Sequence, residues 1–137
     1  MAGKILLEVV TPEKQLLSQE VDEVIAPGTE GEFGVLPGHC HFLSTLRIGE
    51  LRYRVGNRTN HMAILWGYAE VTPTKVTVMA EVAEKAEEID VSRAQTAVEK
   101  AEQRLKAGGL PSEVREAEIS LEKARLRRKI AERVHKS

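Results

Sequence analysis

The sequence predicts an α+β chain: an N-terminal antiparallel β-sandwich over residues 1–86, then an antiparallel two-helix hairpin over residues 87–137. Three observations predict it. Up to about Ala80 the chain is written as short apolar runs broken by Gly and Pro, with no helical segments between them. After Glu81, Gly and Pro vanish until "KAGGLPSE". Alanines then recur three or four residues apart, the spacing of one helix face.

Thr11-Pro12, Pro27-Gly28, Pro37-Gly38, Gly56-Asn57 and Thr72-Pro73 supply the strand breaks. In "LRYRV", Leu51, Tyr53 and Val55 alternate with Arg52 and Arg54, so one face meets a core and the other meets water. "VTVMA" repeats that pattern through Val76, Val78 and Ala80. "VDEVIAPG" and "HMAILWGYAEV" are more continuously apolar, as central strands are. Gly28, Gly31 and Gly34 read as turn glycines with positive φ, since no helix follows to make them a phosphate cradle. Trp66 and Tyr68 read as core or edge aromatics of the sandwich.

The first helix carries Ala94, Ala97, Val98, Ala101 and Leu105, and Gly108-Gly109 ends it. Pro111 holds the chain out of helix briefly, and Ser112 is the expected cap of the second helix. That helix follows Val114, Ala117, Leu121, Ala124, Arg128 and Ala131. A facing stripe of alanine lets two helices approach closely, but a buried methyl contributes only about 0.8 kcal/mol. The sequence therefore describes a weakly held hairpin.

Composition excludes several function classes. The chain has 137 residues and a formal charge of −1, so no global field attracts nucleic acid. No apolar run is long enough to cross a bilayer as a helix, and "MAGKILLEVVTP" lacks the features of a secretory leader. Cys40 is the single cysteine, so no intrachain disulfide is expected, which fits a reducing cytoplasm. No nucleophile elbow, zinc-protease motif or Walker loop is present. In "GHCHF", strand alternation would separate Cys40 from His39 and His41, and no second ligand cluster accompanies them.

Two features carry chemistry. The chain ends in a basic run with Lys123, Arg125, Arg127, Arg128, Lys129, Arg133 and Lys136. This is a solvated face, or a surface for an acidic partner or nucleic acid, and the acidic stretch from Glu81 to Asp90 argues against the last. In "IDVSRA", Asp90 suits a helix N-cap. Arg93 puts a cation in the first turn, where the helix dipole disfavours it, so an anionic ligand is the competing explanation.

"VVTPEKQLL", "APGTEGEFGVLPGH", "LRIGELR", "GYAEVTPTKVTVMAE" and "AEEIDVSRAQTAVEKAEQRL" together resemble the ε subunits of bacterial F-type ATP synthases, in order and over nearly the whole chain. The resemblance implies a sandwich of about ten strands with a two-helix hairpin. It implies a non-catalytic rotor subunit on the cytoplasmic face of the bacterial inner membrane. The sandwich would join the γ subunit to the c-ring, and the hairpin would inhibit ATP hydrolysis. Folded down on the sandwich, the hairpin would permit rotation. Extended, residues 91–134 would reach roughly 60 Å along γ. The basic helix, through Arg125, Arg127, Arg128, Lys129 and Arg133, would then meet the α/β catalytic head.

The resemblance requires no cofactor, but it brings ATP as a regulatory ligand. A motif implicated in ATP binding in some bacterial members matches Ile89, Asp90, Arg93 and Ala94, with Glu84 matching a further acidic contact of those members. Lys123 and Arg127 stand where those members use two arginines, and Lys100 replaces another. Lysine lacks the planar fork, which implies weaker binding. Glu32 and His39 match loop positions facing the c-ring, while His41 replaces a proline common in the family. The rival readings are a stand-alone sandwich module with a coiled-coil arm, a small hydrolase, and a nucleic-acid binder.

Overall fold

The computed structural model describes residues 3–39 and 41–135; Cys40 and Lys136 lie outside the described residues. The chain divides into two compact units, Met1–Lys85 and Ala86–Ser137. The first contains β1 (Ile5–Val10), β2 (Gln15–Val21), β3 (Glu23–Gly28), β4 (Gly31–Val35), β5 (Phe42–Leu46), β6 (Gly49–Val55), β7 (Arg58–Val71) and β8 (Lys75–Lys85). The strand order is β2-β1-β8-β7-β5-β3-β4, with β6 bonded to both β3 and β7.

Eight strands stand where about ten were expected, because β7 and β8 run unbroken for 14 and 11 residues. β8 continues past the change of style at Glu81, since Leu65, Ile64 and Ala63 of β7 pair with Val82, Ala83 and Glu84. β7 gives its first half to β6 and its second half to β5. Between these halves Trp66 and Gly67 both have positive φ, 58° and 151°. A Cβ at Gly67 would sit 2.1 Å from the Met79 carbonyl oxygen, so only glycine permits the strands to stay paired there.

Alternation places Ile5, Leu7, Val9, Leu51, Tyr53, Val76 and Val78 in one core, joined by Val24, Val35, Met62, Ile64 and Val71. Fully burying such side chains stabilises by about 1.5–3 kcal/mol each. Trp66 and Tyr68 are exposed and take no part in it. The β1–β8 pair is parallel, unlike the other pairings. These strands are distant in sequence, so no tight turn dictates their direction.

The second unit contains a 3-10 turn, Ala86–Glu88, then α1 (Val91–Ala107) and α2 (Pro111–His135). Gly108 ends α1 as expected, with φ 72° and its N–H donating to the Arg104 and Leu105 carbonyls. The start of α2 corrects the sequence reading: Pro111 is its first residue, where a missing N–H costs nothing. Ser112 is therefore inside the helix, and Glu113 Oε1 instead accepts from the Leu110 N–H at 2.9 Å. Val98, Ala101, Leu121 and Ala124 form one core cluster between the helices, with Leu105 packed against it, and Ala94, Ala117, Ile130 and Ala131 are buried as well.

Candidate functional site

Asp90 has extended backbone, φ −84° and ψ 116°, and is the N-cap of α1. Its Oδ1 accepts from the Arg93 backbone N–H at 3.0 Å, and its carbonyl accepts from Ala94 N–H at 3.0 Å. Ile89 is buried, and the Arg93 side chain is exposed. Ala94 lies on the packed stripe, 5 % exposed. A shallow hollow over residues 87–92 is lined by Glu87, Glu88 and Asp90. Its field is negative, so a phosphate here needs cations from elsewhere.

The cations of α2 lie along α1. Arg128 Nη1 donates to Gln95 Oε1 at 2.9 Å, and Arg125 lies 3.6 Å from Glu102. Nearer the hairpin tip, Arg104 lies 3.9 Å from Glu116. This antiparallel register sets the turn carrying half-buried Arg127 beside the opening turns of α1. Lys123 follows one turn away on the same face, also half-buried. Lys100 is exposed on α1. Glu84 belongs to the other unit, on β8 opposite Ala63. Of the basic residues expected on α2, Arg125 and Arg128 engage α1, and the side chains of Arg125, Lys129 and Arg133 are exposed.

The second cluster is on the sandwich. Glu32, on β4 opposite Pro27, has a side chain 43 % exposed. His39 is half-buried, its ring 5.3 Å from that of Phe42, which meets Phe33 edge-on at 5.1 Å. His41 is exposed. Among the described residues no group of three His, Cys, Asp or Glu side chains is set to hold a metal ion.

Sequence reasoning missed what holds Glu32. Arg52 Nη2 donates to Glu32 Oε1 and Nη1 to Glu50 Oε1, both at 3.2 Å. His61 Nδ1 is 2.8 Å from Glu50 Oε2. Burial alone would lower the Arg52 pKa, but hydrogen bonds and charge from Glu50 and Glu32 outweigh it and raise it. The alternation of "GELRYRV" puts Glu50 and Arg52 on one face, but it cannot reveal that His61 lies opposite Arg52.

A family model described as the ATP synthase Delta/Epsilon chain β-sandwich domain matches residues 4–86. The corresponding long α-helix domain matches residues 87–132. This chain belongs to the ATP synthase Delta/Epsilon chain family. The ATP synthase epsilon chain of Syntrophobacter fumaroxidans is 55 % identical over 133 residues, covering 97 % of this chain and 99 % of the other. That of Citrifermentans bemidjiense is 52 % identical over 134 residues, covering 96 % of each. A chain from the Euglena gracilis mitochondrial ATP synthase, in an assembly of OSCP, F1 and c-ring, superposes with TM-score 0.79. It is 26 % identical, over 89 % of this chain and 78 % of its own. A chain from the central stalk and c-ring of the Tetrahymena thermophila enzyme shares the fold, with TM-score 0.60 at 16 % identity, covering 95 % and 98 %. The expectations of an ε-type chain and of a non-catalytic subunit agree with this membership. Among the described residues no helix is long and apolar enough to cross a membrane.

Proposed function

We propose that this chain is a central-stalk rotor subunit of an F-type ATP synthase, coupling c-ring rotation to the catalytic head through γ and restraining ATP hydrolysis with its hairpin. The observation that carries the reading is the match of both units, in order, to chains named ATP synthase epsilon chain. In this reading residues 1–86 dock γ and the c-ring, with Glu32 and His39 on the c-ring side. Residues 87–137 are the regulatory arm. The chain works on the cytoplasmic face of the bacterial inner membrane, bound there through the c-ring alone.

The arm's chemistry supports the inhibitory part. The buried residues of α1 and α2 are mostly alanine, and each methyl contributes only about 0.8 kcal/mol, so the helices are held together by small increments. Opening would separate Arg125 and Arg128 from α1 and leave a helix rich in cations, suited to an acidic surface of the α/β head. ATP, contacted by Asp90, Arg93, Arg127 and Lys123, would favour the closed hairpin because only that state brings α1 and α2 cations together. Ile89 and Ala94 would shape the site.

The test is removal of residues 111–137 from the chain in the reconstituted enzyme. Assembly should be retained and ATP hydrolysis should rise. Unchanged hydrolysis at every nucleotide concentration would sink the inhibitory role, and failure of the intact chain to copurify with γ would sink the rotor reading.

A further inference from the structure

Among the described residues Glu50 is the only buried polar or charged side chain, 4 % exposed. A buried carboxylate is costly unless it is paired and hydrogen-bonded. Glu50 uses one oxygen for His61 Nδ1 and the other for Arg52 Nη1. An ionised carboxylate only accepts, and both Arg52 Nη1 and a protonated His61 Nδ1 are donors that suit it. Arg52 is thus fixed from the inside, and its second amino group reaches outward to Glu32.

The clasp spans three strands. Arg52 is on β6, Glu32 is on β4, and β3 lies between them, pairing with both. β4 ends the sheet and is paired on one side only, by β3. Glu32 follows a two-residue turn, Thr29-Glu30, closed by Gly28 and Gly31. A side chain beside such a turn on an edge strand would otherwise be mobile. An exposed ion pair contributes little stability, so the consequence of this one is orientation. A guanidinium fork can serve two carboxylates at once, and an ammonium cannot do so in the same fixed geometry.

We infer that Arg52 is a positioning residue: locked to buried Glu50, it holds the exposed Glu32 carboxylate in one place on the β3–β4 edge and so sets the surface offered to the c-ring. The c-ring part rests on the functional reading above. The positioning part does not.

The experiment uses the full-length chain, with Arg52→Met, Arg52→Lys, Glu32→Gln and the double variant Arg52→Met/Glu32→Gln. Solution NMR follows the Arg52 guanidinium signals and amide exchange at residues 29–32. Purified c-ring is titrated onto the γ-bound chain. Wild type should give distinct, slowly exchanging Arg52 amino protons, and Glu32→Gln should release one side of the group. Arg52→Met should speed amide exchange in the turn and weaken c-ring binding roughly two- to fivefold, the scale of an exposed ion pair. Arg52→Lys should not restore either, and the double variant should bind no worse than either single one.

Turn exchange unchanged by Arg52→Met overturns the positioning role, as does strict additivity in the double variant. If Arg52→Met fails to fold, Glu32→Gln decides alone, because it leaves the Glu50 lock intact; unaltered Arg52 signals then overturn the inference. If the NMR signatures respond but Glu32→Gln leaves c-ring binding unmoved, positioning stands and the c-ring assignment falls.

Discussion

Asp22 shows how much a single residue between strands can do here. Its carboxylate accepts from the Gly56 N–H at 2.7 Å and lies 3.1 Å from Lys4 and 3.8 Å from Arg54. The Gly56 hydrogen bond first, and then Lys4, hold its pKa below the ordinary 3.8, against the opposing effect of burial. A carboxyl with a depressed folded pKa stabilises the fold fully above its unfolded value and loses that contribution as pH falls through the folded value. Asp22→Asn should therefore lower the melting temperature at neutral pH, with the gap to wild type closing below about pH 4. A gap that persists unchanged in acid would remove the charge from the explanation. Gly67 is the other decisive residue. Gly67→Ala adds a Cβ against the Met79 carbonyl and should destabilise the sandwich by about 3 kcal/mol or more, read by denaturant unfolding. Neither role was legible in the sequence, because both depend on strand register. Asp22 looks like any turn aspartate, and Gly67 lies inside an apolar run that reads as uninterrupted strand.

At the scale of elements the sequence was far more legible. Period-two alternation identified the inner faces of β6 and β8, and alanine spacing identified most of the packed face of each helix, because both patterns are local; Ala97 is nevertheless exposed, and buried Ile130 lay outside the stripe. Misreadings came at boundaries: pairing with β7 carries β8 to Lys85, and α2 starts at Pro111 because the first helical position needs no N–H. The opening of α1 is where helix and proposed ligand site coincide, and variants can separate the two. Asp90→Ala removes the cap and should cost about 1 kcal/mol. Arg93→Ala should leave stability nearly unchanged, since alanine is the better helix former and the first-turn cation is unfavourable. If ATP binds here, that same substitution should weaken binding at least about tenfold, because a charge-assisted hydrogen bond contributes roughly 1.5–3 kcal/mol. Lys123→Arg should tighten binding by restoring a planar fork. Calorimetric titration with ATP beside thermal melts checks the set. A chain that binds no ATP, yet loses stability on Asp90→Ala, has a cap at this motif and nothing more.

The whole molecule is two units with cores of very different depth. The sandwich core draws side chains from β1, β2, β3, β4, β5, β6, β7 and β8 and is rich in Val, Ile and Leu, whereas the buried residues of the helical unit are mostly alanine, Ala86, Ala94, Ala101, Ala117, Ala124 and Ala131, with Ile89, Val98, Leu121 and Ile130. Burial of branched side chains contributes two to three times what a methyl does, so the two units differ in stability well beyond their difference in length. A fragment of residues 1–85 should therefore melt in one cooperative transition and, on the reading proposed above, still bind γ. A fragment of residues 86–137 should show helical circular dichroism that fades gradually with temperature, since a short helical pair with a thin core lacks cooperativity. Amide exchange across the intact chain should follow the same division, with α1 and α2 exchanging faster than β1, β7 and β8. A hairpin whose amides exchange as slowly as those of the central strands would be too stable to open, and the regulatory arm would have to act, if at all, as a rigid body.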